Sequence, residues 1–456
     1  MPRTPRAQPP GPSVVWTYAV EAAGPAGNLL RIDADFAPTE AETLEVDPDG
    51  APFVRDPQYA VADGWKPLSS DGGTWVAPCR GGCRIRYGFA LVEAAERLND
   101  AESALAAGDS IVAPPSTWLL RPTEPAGRDR FRFRVTTTGT THFVTGIRAV
   151  DGSADTFEAA TADMANASFA VFGSLRLDTI PVGAARIDVA LAPRSLPLTR
   201  PELVAWVARG ASSLAAYYGA LPVPRVLVII VPGSGQSTRG ETISQGGPAV
   251  VIRPADGLTA AAARDDWVVT HELIHATLPS LGHAHAWLDE GIATYVEPIV
   301  RARAGLVTAE RYWRELAQGL PQGLPEAGDQ GLDRTRTWGR TYWGGALFCF
   351  VADVRIREAT HGDRSFDDVL RGLIATRDDG AATVDIARFL EAADRETGTN
   401  VVSEMYRALA LAPGSVDLAA LWSDLGVRVV GTAIRFDDQA PRASIRRAIT
   451  TPPISR

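Results

Sequence analysis

The segment His271-Glu272-Leu273-Ile274-His275 constrains this chain more than any other. On a helix, residues four apart share a face, so both imidazoles point the same way. Two imidazoles so placed offer two of the ligands of a tetrahedral zinc ion, each at ~2.0–2.1 Å. Glu272 stands one position past the first histidine. From there its carboxylate can reach a water in an open fourth position and take its proton. With six histidines and 54 acidic residues in 456, the pattern is expected about 0.01 times by chance. Asp265 and Asp266 complement the dipole at a helix start, and Pro279 stops the helix. Trp267, His271, Ile274 and Leu278 form one inward face. These features predict a metal-bearing helix over about 264–278.

A third protein ligand is needed, and the next helix offers Trp287-Leu288-Asp289-Glu290-Gly291-Ile292-Ala293. The spacing from His275 leaves room for a loop and an antiparallel return. Glu290 is the expected ligand and Asp289 the alternative. Gly291 lets a neighbouring backbone approach closely. Thr294 and Glu297 share the face of Glu290, where either can orient a ligating imidazole. His283 and His285, in the connecting loop, are expected at the rim, because Glu290 completes the three-ligand set of a catalytic zinc.

Around this centre the chain changes texture once. Residues 1–12 are rich in Pro and Arg and are expected to be a disordered leader. Residues 13–195 read as a β-rich, sandwich-like region. Phe131, Phe133 and Val135 alternate with Arg132, Arg134 and Thr136, as Ile187, Val189 and Leu191 alternate with polar residues. A short helix within 91–107 interrupts the strands. From 196 the signals are mixed: Thr199 with Glu202 reads as a capping box. It opens a helix that runs to Gly219 and buries Leu203, Val207, Leu214 and Tyr218. Strands follow at 225–231 and 249–252, then the two helices of the metal site. Residues 196–305 are thus the expected catalytic domain, 306–426 a helical domain, and 427–456 a tail with a short strand. The fold class is α+β.

Length supports two to three domains at roughly 150 residues each. The net charge of -9 argues against a nucleic-acid partner, whose usual footprint is a basic face. No apolar run reaches the ~18 residues of an integral membrane segment. Arg3 and Arg6 are followed by no apolar stretch, so no secretory signal is visible. Cys79 and Cys83 enclose Arg80, Gly81 and Gly82, a spacing suited to a disulfide-closed turn or to two inert thiols rather than to a metal. A disulfide favours an oxidising compartment, periplasmic or secreted. Cys349 reads as a core thiol.

These motifs resemble the gluzincin metallopeptidases, in which the paired histidines are followed by a helix bearing a ligating Glu in a Trp-Leu-x-Glu-Gly-x-Ala setting. Tyr342-Trp343-Gly344-Gly345-Ala346-Leu347, Asp353 to Arg357 and Ser365 to Leu370 sharpen the likeness, which is to the glycyl aminopeptidase family, relatives of aminopeptidase N. It covers about 196–426. It implies a thermolysin-like catalytic domain, one zinc ion on His271, His275 and Glu290, Glu272 as general base, and Tyr342 as hydrogen-bond donor to the oxyanion. It also implies a peptide or protein substrate and an aminopeptidase-like reaction. Two departures stand out. The relatives anchor the substrate amine with an acidic or Asn-containing strand. The matching stretch here, Ile243 to Ala249, has no carboxylate, although Glu241 is close. There Gly246 and Gly247 are expected to pair their backbone with an extended peptide. The thirty residues after Val427 are also too few for the PDZ-like domain that many relatives carry. A zinc hydrolase of a non-peptide substrate, or a catalytically silent peptide-binding protein, remains an alternative on the same scaffold.

Overall fold

The structure is a computed structural model that describes residues 13–23, 28–124, 129–192, 196–377 and 382–452. The expected leader, 1–12, lies outside the described residues. The fold is α+β, with sheets concentrated in the first half and helices in the second.

The first part of the chain is built on a seven-stranded sheet in which Val14–Ala23 pairs parallel with Arg130–Thr137 and antiparallel with Leu29–Phe36. Period-two alternation explains its burial. Phe131, Phe133 and Val135 point inward, while Arg130, Arg132 and Arg134 face out and pair with Glu158 and Asp155. Two four-stranded sheets share its core, where Trp118 meets Phe133 and Phe172 edge to face. The expected helix within 91–107 is shorter, Leu91–Leu98, because Asn99 turns left-handed at φ 50° and ends it. Cys79 and Cys83 are joined as a disulfide, and Cys349 is buried.

A second, five-stranded sheet backs the helices that carry His271, His275 and Glu290. Its strands are β1 (Arg176–Val182), β2 (Ala185–Leu191), β3 (Arg225–Ile230), β4 (Arg239–Ile243) and β5 (Ala249–Arg253), in the spatial order β1-β2-β3-β5-β4. β2, β3 and β5 run parallel, and β4 is an antiparallel edge. Two of its strands, β1 and β2, lie before residue 196. β1 and β2 hydrogen-bond into this sheet, because the apolar run of β3 needs a parallel partner on its other side. The two faces of the sheet have different neighbours. Val228, Val250 and Ile252 pack on the helices, whereas Leu227, Ala249 and Val251 pack on Leu105, Val112 and Phe169 of the first part.

Helix α1 (Arg200–Tyr218) carries the expected capping box, with the Thr199 N–H donating to Glu202 Oε2 at 2.9 Å. The helix expected over 264–278 is shorter. It is split into Ala260–Asp265 and α2 (Val268–Thr277), because Asp266 is extended and its Oδ1 accepts from the Val268 N–H at 3.0 Å. Helix α3 (Ala286–Arg303) returns along it, and α4 (Gly345–Ala359) crosses α3. Residues 427–452 carry the expected strand as part of a hairpin, Val427–Val430 with Ala433–Phe436, and a helix, Ala443–Thr450, follows it. Val427 and Ile449 join the helical core, and the Arg446 guanidinium donates to the carbonyls of Leu425 and Gly426. Among the described residues, no helix is long and apolar enough to cross a membrane.

Candidate metal centre

Helices α2 and α3 bring His271, His275 and Glu290 together as the expected trio. Their nearest ligand atoms form a triangle. His271 Nε2 lies 3.3 Å from Glu290 Oε2, His275 Nε2 lies 3.4 Å from it, and the two nitrogens are 3.2 Å apart. A tetrahedron with metal–ligand bonds of ~2.0–2.1 Å has edges of about 3.3–3.4 Å. The donor set and its spacing therefore fit zinc. Burial pulls the His275 imidazole's pKa down, but the Glu290 charge outweighs it and pushes it up to about 9. Burial likewise pushes Glu290 up, yet the two imidazoles hold it well below the carboxylate range. The two shifts are those of a partly buried imidazole–carboxylate pair.

Asp289, the alternative ligand, has another task. It accepts from the Leu281 N–H at 3.0 Å and from Ser280 Oγ at 2.8 Å, fixing the loop between the two helices. Glu297 does not orient an imidazole. It is buried against Arg301 at 3.0 Å, and the Arg301 guanidinium also donates to the Asp265 carbonyl at 2.7 Å. His285 pairs with Asp333 and His283 with Arg336.

Glu272 is buried and lies against the edge strand β4. Its Oε2 accepts from Thr242 Oγ1 at 2.6 Å. Gly240 provides the space: a Cβ there would lie 2.7 Å from Glu272 Oε1. Tyr342 sits on a π-helical turn, Arg340–Gly344, that leads into α4. Burial and the charges of Glu290 and Glu272 push its phenol up to about 12, so it stays a donor at neutral pH. α3 and α4 meet where Gly291 faces Gly345, so the expected close approach is real and has a named partner.

A cavity of ≈ 580 Å³ opens over these groups. Trp267, expected on an inward face, lines it and is 49% exposed, with its ring 5.1 Å from that of His271. Gly246 and Gly247 do not serve the cavity. The Gly246 carbonyl accepts from the Arg148 N–H, the Gly247 N–H donates to Ser244, and a Cβ on Gly247 would strike the Gly146 carbonyl. Their backbone is already spent on docking to the first part of the chain. The strand that does line the cavity is β4, through Gly240, Glu241 and Thr242. Alternation divides it. Gly240 and Thr242 face α2, whereas Glu241 faces the first part of the chain, from which Glu102 reaches in. The sequence signal was Glu241 itself, two residues before the stretch singled out.

No protein-family model and no curated protein matches the chain. Solved structures do match its fold. An aminopeptidase N family protein from Idiomarina loihiensis aligns over 90% of this chain and 78% of its own, with TM-score 0.68 and 13% identity. A mutant M1 zinc metallopeptidase from Deinococcus radiodurans, bound to a Tyr-Ser-Ala substrate, aligns over 89% of this chain and 95% of its own, with TM-score 0.58 and 15% identity. A two-domain M1 zinc metallopeptidase mutant bound to L-arginine gives TM-score 0.56 at 15% identity, over 89% and 96% of the two chains. The chain thus has the multi-domain fold of aminopeptidase-like gluzincins.

Proposed function

We propose that this protein is a zinc-dependent metallopeptidase that removes residues from the free amino end of peptides. The observation that carries the proposal is the triangle of His271, His275 and Glu290 with edges of 3.2–3.4 Å, flanked by a carboxylate that is not part of it. A structural site has no use for such a base. When bound, zinc polarises the scissile carbonyl and brings the pKa of a water toward ~7.

The chain's own residues supply the rest. Glu272 accepts the water proton and passes it to the leaving amine. Tyr342 donates its phenolic hydrogen bond to the carbonyl oxygen as that oxygen gains charge. β4 is an edge strand, so its outward backbone groups are available to an extended peptide. The exopeptidase part rests on Glu241 and Glu102. Burial pushes the Glu241 carboxyl up, Arg253 opposes this, and Asp100 and Glu102 add to it. Its Oε2 is buried with no hydrogen-bond partner among the described residues. Glu241 and Glu102 both line the cavity, so carboxylate is offered there to an ammonium group. The Tyr-Ser-Ala bound to the Deinococcus neighbour supports the same substrate class.

The test is digestion of a mixture of tripeptides with free or acetylated amino ends, read by mass spectrometry. Expected is release of the first residue from free-amine peptides only, lost with a chelator and restored by zinc. Glu272→Gln should keep zinc and lose ~10²–10⁴ in rate. Hydrolysis that survives Glu272→Gln sinks the assignment of the base. Cleavage of acetylated peptides sinks the exopeptidase part, and intact peptides with zinc-loaded protein sink the whole.

A further inference from the structure

We infer that Thr242 is a positioning residue for Glu272, and that the edge strand β4 divides the two oxygens of that carboxylate between structure and proton transfer. The inference rests on the peptidase reading and deepens it. Four observations carry it. Thr242 Oγ1 donates to Glu272 Oε2 at 2.6 Å, a length typical of a charge-assisted bond. The same hydroxyl lies 3.2 Å from the Glu272 carbonyl oxygen, so it sits over both the backbone and the head of that residue. Glu272 Oε1 lies instead over Gly240, two residues earlier on the same face of β4, where a side chain would leave it no room. Finally, β4 is fixed from behind by its ladder to β5.

The physical need is plain. A glutamate has three rotatable bonds, and a general base must hold one oxygen within hydrogen-bond reach of the proton it takes. Thr242 ties one oxygen to a rigid strand. That restricts the carboxylate to one orientation and leaves Oε1 for the proton. β4 also borders the cavity, so one strand both meets the substrate and aligns the base.

Thr242→Val removes the hydroxyl at nearly constant shape, and Thr242→Ser keeps it. The zinc-loaded full chain is assayed on the tripeptide that wild type cleaves fastest in the mixture. Thr242→Val should retain stoichiometric zinc and a KM within about two-fold of wild type, and lose about 10–100-fold in kcat, the scale of a misplacement near 1 Å. Thr242→Ser should recover most of that loss. Gly240→Ala should also keep zinc and lose at least as much kcat, since the methyl displaces the carboxylate. Wild-type kcat in Thr242→Val overturns the inference. So does a Thr242→Ser protein as slow as Thr242→Val, which would mean that the methyl matters and not the hydroxyl. A rise in KM alone would overturn it too, by assigning Thr242 to peptide docking. Zinc-loaded wild type that cleaves nothing fails the peptidase reading itself, and is distinguished from the other outcomes by the missing wild-type rate.

Discussion

Gly291→Ala should separate two helices that the site needs in contact. An added methyl carbon would lie 2.3 Å from the Gly345 carbonyl carbon and 2.4 Å from its Cα. Ordinary carbon contacts begin near ~3.5 Å, so the backbones of α3 and α4 must part by about 1 Å. The obstacle is backbone, not the end of a flexible side chain, so no rotamer relieves it. The reverse change is no easier, since a Cβ on Gly345 would sit 2.0 Å from the Trp287 carbonyl oxygen. Overpacking of this kind costs about 1–3 kcal/mol. The functional cost should be larger, because Glu290 directly precedes Gly291, and the turn bearing Tyr342 directly precedes α4. α3 is also tied through Asp289 to the loop that follows α2, so the shift should fall mainly on the Tyr342 turn. A misplacement near 1 Å costs about 10²-fold in rate. We expect reduced stability in urea, near-stoichiometric zinc, and kcat down by about two orders of magnitude. Gly257→Ala is the control, since a Cβ there meets nothing within 4 Å. Wild-type stability and kcat in Gly291→Ala would refute the close-approach argument.

Three further outcomes follow from the same geometry. Tyr342→Phe should leave zinc and KM nearly unchanged and cost ~10²–10³ in kcat, and an unchanged kcat demotes the phenol to packing. Glu290→Gln should weaken zinc by at least about 10²-fold in chelator competition, more than the loss of a residue that only orients a ligand, whereas unaltered affinity removes it from the ligand set. Asp188 gives a pH-dependent test. Burial would push its carboxyl up, but Arg225 at 2.6 Å outweighs this and holds it below its ordinary value. A lowered folded pKa means stability that is present above about pH 4 and lost as pH falls through the folded value. Asp188→Asn should therefore be less stable than wild type by about 1–3 kcal/mol at pH 7. In urea melts the gap should narrow as the pH falls below about 4, and a gap independent of pH contradicts the linkage.

The parts of this molecule that were legible in the sequence share one property: their signal is local. Helical spacing of four puts His271 and His275 on one face whatever surrounds them, and the distance to Glu290 leaves room for a hairpin of helices. The capping box at Thr199 is written within four residues and recurs in the structure. The apolar run of β3 needed only its own composition. What stayed hidden depends on pairing across long separations. β1 and β2 alternate like any sandwich strand, and only the parallel ladder to β3 shows which sheet owns them. Gly246 and Gly247 looked like open backbone because their partners, Gly146 and Arg148, lie about a hundred residues upstream. β4 was passed over for a related reason. Of its five residues, Arg239 to Ile243, only Ile243 is apolar, and Gly240 and Glu241 are types that strands disfavour, so the short run does not stand out as a strand. That composition is what an edge strand beside a site calls for. Gly240 has no side chain because Glu272 occupies the space, Thr242 is polar because it holds that carboxylate, and Glu241 is charged on the face that meets Glu102. The two residues that weaken the strand signal, Gly240 and Glu241, both line the cavity. Where sequence propensity fails in an otherwise regular sheet, the failure itself marks the working edge.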